Sequence, residues 1–360
     1  MSHHSGFRNY PEVRGRVRHL LPRLTVTSLM VLGMAGAGAA TAAADTVIGT
    51  IPVGDSPLGV AITPNGDFAY VTNNVDGSVS VIDTATNAEV ETITISAPHI
   101  LNAPQQVAIS PNGAFAYVVN NLRSSVSVID TATNTKVDTI AIGDAPQGMA
   151  ITPDGAFAYV TNIVDHSVSV INTATNAEVD TIEVDNVPQY VAITPDGAFA
   201  YVTHYHSGSV TVINIETNTK VDTIEVGNAP HQGVAITPNG DFAYVTNFKD
   251  GSVSVINTAT KTEVATIPVG NAPQQVAITP DGTRAYVTNR DDDTVSVIDI
   301  ATNTEVDTIA VGDAPQQVAI APDGTRAYVT NRDDDTVSVI TIDQCFGSLC
   351  IDFGSLAGSG

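Results

Sequence analysis

Apolar and polar residues alternate with a period of two through most of this chain. "SVSVID" at 78–83 shows the pattern in its simplest form, and close copies stand at 125–130, 167–172, 209–214, 252–257, 294–299 and 336–341. A period of two places successive side chains on opposite faces of an extended chain, so these segments predict strands and not helices. Each copy sits in a fixed context. "QVAIT" is a β-rich run stopped by the turn "PDG" or "PNG". "FAYVTN" and a polar loop follow, then the alternating strand, the turn "TATN" and a last run such as "EVDTIEVG". Each unit therefore predicts four short antiparallel strands.

The units recur at a near-constant interval. Their anchor tyrosines are Tyr70, Tyr117, Tyr159, Tyr201, Tyr244, Tyr286 and Tyr328, spaced by 47, 42, 42, 43, 42 and 42 residues. Four strands in about 40 residues is the signature of a propeller blade, which predicts an all-β, seven-bladed β-propeller over 45–342. The ends of the repeat support a closed ring. The last unit stops after its third strand, "TVSVITI" at 336–342, and "DTVIGTIPVG" at 45–54 is a fourth strand with no blade before it. Placing the spare strand on the open blade closes the ring and removes exposed edges.

The recurring "YVTN", with "APQQVAI" before it and "SVSVID" after it, resembles the YVTN-repeat seven-bladed β-propeller family over 45–342. The resemblance implies that fold and an exported or envelope setting, since members include surface-layer proteins and periplasmic propellers. The WD-repeat pattern does not fit, because the chain has no Trp.

Composition adds a leader and a charge. Residues 1–44 carry Arg8, Arg14, Arg16, Arg18 and Arg23, then the small apolar run "LTVTSLMVLGMAGAGAATAAA", with Ala42 and Ala44 offering a cleavage site before Asp45. This is the layout of an export signal peptide. Its removal takes away five Arg and one Glu, so the net charge moves from −24 to −28. A chain this acidic repels nucleic acid and anionic lipid, and is expected to be a soluble monomer with no membrane span. The tail 343–360 is rich in Gly and Ser, and its Cys345 and Cys350 are expected to pair as a disulfide in an oxidising compartment.

Internal comparison of the repeats singles out one rim. Loops between the second and third strands share a face with the crossings between blades. Both length changes fall there, in "SAPHILNAP" at 96–104 and "APHQGV" at 229–234, and so do His99, His166, His204, His206 and His231. The opposite face carries the near-invariant "PDG" and "TATN" turns and reads as structural. Loops on a rigid scaffold are where binding concentrates. The expected ligand face comprises His166, Gln189, Tyr190, His204, Tyr205, His206, His231, Gln232 and Phe248, open to a protein, peptide or glycan.

Three chemistries are conceivable on that rim. "YVTHYHSG" at 201–208 replaces the usual Asn with His204 and adds His206 two residues on, so both rings would share a side in an extended segment. With His231 from the next crossing they would form a site for a divalent metal such as Zn or Cu. The channel mouth is ringed by Gln105, Gln106, Gln147, Gln189, Gln232, Gln274, Gln275, Gln316 and Gln317, interrupted by Tyr190, and would take a sugar or a peptide strand. "NRDDDT" at 289–294 and 331–336 offers carboxylates to Ca, although the spacing departs from glycine-containing calcium loops. No nucleophile elbow, phosphate loop or zinc-protease motif is present. The reading is a secreted or cell-envelope binding propeller without catalysis. The alternatives are a metal-assisted lyase or lactonase using the same histidines, and a purely structural surface-layer unit.

Overall fold

The computed structural model describes residues 44–95 and 103–343, with the backbone of 345–346 and 349–350. The described part of the chain forms seven four-stranded antiparallel sheets, and a two-stranded ladder in the tail. Six blades are continuous in sequence: I (57–94), II (104–141), III (146–183), IV (188–225), V (230–268) and VI (273–310). Blade VII combines Pro315–Ile320, Arg326–Asn331 and Thr336–Thr341 with the N-terminal strand Thr46–Pro52 as its outer edge. Thr46 pairs with Thr341 and Pro52 with Thr336. The expected closure of the ring is thus observed.

The core is divided among the blade interfaces. Seven apolar clusters form, one between each pair of neighbours. The cluster that joins the two ends of the ring sets Tyr328, Val337 and Val339 of blade VII against Val60, Ala69, Val71 and Ile82 of blade I. Because each blade packs on both faces, the alternating third strand is buried along its middle, serines included, and half-buried only at its ends. Its serines are not wasted: Asn162 Nδ2 donates to Ser167 and Ser169, and Asn73 Nδ2 donates to Ser78 and Ser80. Only the fourth strand faces outward, with one buried Ile per blade, such as Ile182 and Ile224.

The anchor tyrosines stitch blades together. Each is buried, and in five of the seven the hydroxyl bonds to the turn between third and fourth strands of the following blade. Tyr70 donates to Asn134 Oδ1 at 2.6 Å, Tyr159 to Asn218 Oδ1 at 2.6 Å and Tyr244 to Asn303 Oδ1 at 2.7 Å. Tyr328 closes the circle on Asn87 at 3.1 Å. Burial pushes these hydroxyls up, to about 12 for Tyr70, Tyr159 and Tyr244, so they stay protonated donors.

Candidate binding face

The antiparallel order puts the loops between second and third strands beside the blade crossings, as expected. The residue just after each "YVTN" occupies one equivalent position around this face: Asn74, Asn121, Ile163, Tyr205, Phe248, Arg290 and Arg332. In blades I and II it serves the scaffold, since Asn74 Nδ2 donates to Pro104 O and Asn121 Nδ2 to Pro146 O. In blades IV to VI it builds something else. Tyr205 meets His206 at 5.2 Å and His231 at 5.4 Å between ring centroids, both edge to face. His231 lies 5.5 Å from Phe248, and the guanidinium of Arg290 sits 4.9 Å over the Phe248 ring. Lys249 places its ammonium 5.2 Å from the Tyr205 centroid. The result is a continuous shelf, His206–Tyr205–His231–Phe248–Arg290, spanning three blades. Edge-to-face ring pairs and cation–ring contacts are each favourable by about 0.5–1.5 kcal/mol, which holds such a shelf in shape.

His231 owes its place to the extra residue in its crossing. The inner strand Pro230–Ile236 has seven residues where the other blades have six, and its register shifts between Pro230 and Val234. The imidazole Nδ1 shares a hydrogen bond with Gln274 Oε1 at 3.1 Å. Burial pushes its pKa down to about 4, the Gln274 bond opposes this, and the nearby Arg290 adds to it. The ring is neutral at physiological pH.

The two histidines of "HYH" part company, which corrects the expectation that they share a side. His204 is the last residue of the strand Phe199–His204 and is fully buried, whereas a turn begins at Tyr205 and leaves His206 exposed. His204 Nε2 lies 2.8 Å from Thr211 Oγ1. Thr211 donates to Asp185 Oδ2 at 3.4 Å, and Asp185 holds Lys220 at 2.8 Å. Three departures from the repeat coincide here. Where the other blades have Asn, this one has His204. Where they have Ser, it has Thr211. Where five crossings have Gly, it has Asp185. At those glycines a Cβ would come within 2.5–2.8 Å of the Asn side chain. Burial pushes His204 down to about 4, partly offset by Asp185.

The remaining expected ligands also have structural duties. His166 stands at a left-handed position (φ 52°), and its Nδ1 accepts from the N–H of Val187 at 3.1 Å. Asp293 and Asp335, at the equivalent positions, accept from Ala314 and Ser56 in the same way. Asp292 and Asp334 hold the N–H groups of Asn271 and Asp313. The second and third carboxylates of each "NRDDDT" therefore cap backbone, and Asp291 pairs with Arg290 at 2.8 Å. Among the described residues no three His, Cys, Asp or Glu side chains gather into a group able to hold a metal ion, so His204, His206 and His231 do not converge.

The channel mouth differs from the expected open ring of amides. Tyr190 crosses the axis from blade IV. Its hydroxyl receives hydrogen bonds from Gln106 Nε2 of blade II and, at 2.9 Å, from Gln275 Nε2 of blade VI. Gln106 also binds the backbone of Met149, and Gln275 Oε1 accepts from Val318 N. Gly59, Gly148 and Gly233 stand at the same position in blades I, III and V. A Cβ at Gly148 would meet Tyr190 Cα at 2.7 Å. At Gly59 and Gly233 a Cβ would meet the next inner strand in the same way, at Gln106 Cα and Gln274 O, so glycine on alternate blades lets the inner strands approach closely. Gln189 is buried and Gln232 half-buried beside this plug, while Gln274 and Gln316 bond back to their own crossings. The sequence pattern gave no sign that Tyr190 closes the axis, or that Arg290 and Lys249 join the aromatic row.

His99, the leader 1–43 and most of the tail lie outside the described residues. In the tail ladder the backbones of Cys345 and Cys350 stand directly opposite each other. No helix among the described residues is long and apolar enough to cross a membrane.

Comparison with known proteins agrees with this architecture. No curated protein matches the chain. Among solved structures, Kuenenia stuttgartiensis hydrazine synthase aligns with TM-score 0.71 and 24% identity, over 80% of this chain and 96% of that one. At that identity the likeness extends to the fold alone. The family described as "Lactonase, 7-bladed beta-propeller" matches 36–180, 172–269 and 234–351, stretches that together span the whole ring. The chain therefore belongs to the lactonase seven-bladed β-propeller family.

Proposed function

We propose that the protein is an extracytoplasmic binding propeller whose ligand is a glycan laid on the Tyr205–His231–Phe248 shelf. One observation carries this reading. A repeat position that ties down backbone in blades I and II is turned in blades IV to VI into a row of rings with cationic neighbours. Half-buried rings offer a flat apolar face to the C–H side of a sugar, and Arg290 and Lys249 offer donors to its hydroxyls. Export by the leader and a Cys345–Cys350 disulfide belong to the same reading.

Calorimetric titration of the protein with an oligosaccharide panel tests it. Saturable binding that drops at least about tenfold in Tyr205→Ala/Phe248→Ala, with a single cooperative melt retained above the titration temperature, is expected. Equal binding by the double variant removes the shelf from consideration, and binding of peptides alone reassigns the ligand class. Family membership favours a second reading, a lactonase-type hydrolase. Its base would be His231, neutral and beside Arg290. Acid release from a lactone panel, lost in His231→Gln, would establish it in place of the first.

A further inference from the structure

The turn face holds a cavity that the repeat pattern does not announce. In blades I, II, III and V the residue after the third strand is Thr, and its hydroxyl donates to the turn glycine carbonyl: Thr84 to Gly66, Thr131 to Gly113, Thr173 to Gly155, Thr258 to Gly240. Blade IV carries Ile215 there, which has no hydroxyl. Beside it, between blades III and IV, lies a cavity of about 450 Å³ lined in part by Asp154, Phe157, Asp196, Ile215 and Glu216.

The molecule shows what fits such a place. At the next interface, between blades IV and V, Lys261 closes the turn and sets its ammonium 5.1 Å from the centroid of Phe199, the counterpart of Phe157. The counterpart of Lys261 in blade IV is Asn218. That side chain is short and committed, accepting from Tyr159 and donating to Asp180 at 2.9 Å. Phe157 thus keeps its ring on the cavity without the cation its neighbour has. Carboxylates supply the charge. Asp154 and Asp196 are held below the usual carboxylate range by bonds from Thr152 and Thr194 and from backbone N–H groups.

We propose that the groove between blades III and IV binds the ammonium end of an alkylamine, with Phe157 facing the cation and Asp154, Asp196 and Glu216 providing countercharge. A cation over an aromatic face within about 6 Å is attracted by the ring quadrupole, more strongly where water is excluded. The fold contains its own control. Between blades V and VI a cavity of about 610 Å³ exposes Phe242, but Asn239 and Ala301 replace Asp154 and Glu216. That groove has the ring without most of the charge, and should take amines poorly.

Titration of the full chain with 1,5-diaminopentane, with N-acetyl-lysine methylamide and with neutral N-acetyl-norleucine methylamide reads the site by calorimetry. Saturable binding of an amine and none of the neutral compound is expected. Phe157→Leu should weaken it about tenfold. Asn218→Lys should abolish it while leaving melting unchanged, because Lys261 shows that the turn accepts lysine and Tyr201 shows that the tyrosine can turn to a backbone carbonyl instead. Preference for the diamine identifies a free amine as the natural ligand, and equal binding of the lysine derivative identifies a lysine side chain. Amine binding that survives Asn218→Lys, or no saturation by either amine at millimolar concentration, overturns the proposal.

Discussion

The hydroxyl of Tyr286 donates a hydrogen bond to the carboxylate of Asp45, 241 residues away in the chain. At the interfaces of blades I/II, III/IV and V/VI, an Asn of the following blade does this work, as Asn134 does for Tyr70. Blade VII has no turn between its third and fourth strands, because its fourth strand arrives from the other end of the chain. Asp45 stands in for the missing Asn. It also binds Arg284 at 3.1 Å and the N–H of Asp343 at 2.9 Å. The carboxylate is almost wholly buried.

Asp45→Ala should therefore loosen the ring at its seam. Removing one partner from a buried charged pair costs about 3–5 kcal/mol, and the part-exposed Arg284 places this case toward the lower end. Asp45→Asn should lose less, since Asn accepts from the equivalent tyrosine at four other interfaces. Urea denaturation of both variants measures the difference, and equal stability of Asp45→Ala and the parent would refute the seam.

His204 sets a pH limit. Folded, its imidazole stays neutral down to about 4, whereas in the unfolded chain it takes a proton near 6.5. Between those values the unfolded state binds more protons, so stability falls as pH drops through that window and is untouched above it. His204→Asn removes this contribution. Relative to the parent, the variant should gain on the order of 2 kcal/mol between pH 7 and pH 5. His231 keeps its own slope in both proteins, so the difference isolates His204. A difference that does not change with pH would mean that His204 takes up its proton at the same pH in the folded and unfolded chains.

Tyr190→Phe keeps the ring in the channel and removes the hydroxyl. The amides of Gln106 and Gln275 then lose a shared acceptor, at a cost of about 1–3 kcal/mol. Tyr190→Ala also empties the volume and should cost about 3–5 kcal/mol. Thermal melting in that order, parent above Phe above Ala, is the expected outcome. A Phe variant as stable as the parent would show that the hydroxyl bridge contributes nothing.

The pairing of His204 with Asp185 can be transplanted. Gly270 faces Asn289, whose side-chain atoms lie 2.6–2.8 Å from any added Cβ. Gly270→Asp alone should destabilise by about 1–3 kcal/mol through overpacking. Adding Asn289→His and Ser296→Thr should recover part of that loss, a positive coupling of at least about 0.5 kcal/mol. Strict additivity would mean that the three departures in blade IV are unrelated.

The blades, their number and the strand that closes the ring were legible because repetition provides its own alignment. So was the rim, since length changes and histidines departed from the pattern on one face. Other features depend on what closure brings together. Tyr190 lies 84 and 85 residues from the two glutamines it joins, and only the curvature of the ring puts them across one axis. The separation of His204 from His206 turned on where the strand stops, one residue before the ring of Tyr205. Asp185 and Thr211 were visible as odd residues in the repeat, but nothing local connects them to His204, 19 and seven positions away. The turn face looked uniform because its motif is uniform. The change from Thr to Ile at 215 lies directly after the strand Ser209–Asn214, where an apolar residue looks like a continuation of the strand.

The bond from the Asp343 N–H to Asp45 has a further effect on how the molecule is presented. The described ring begins and ends at one spot, on the turn face, beside Arg284. Whatever is joined to either end departs from the same point and from the side opposite the aromatic shelf. A tether at either terminus therefore holds the disc by its back, with Tyr205, His231 and Phe248 facing outward. Tension between the two ends is carried first by a few bonds at the seam, before any of the other six blades is loaded.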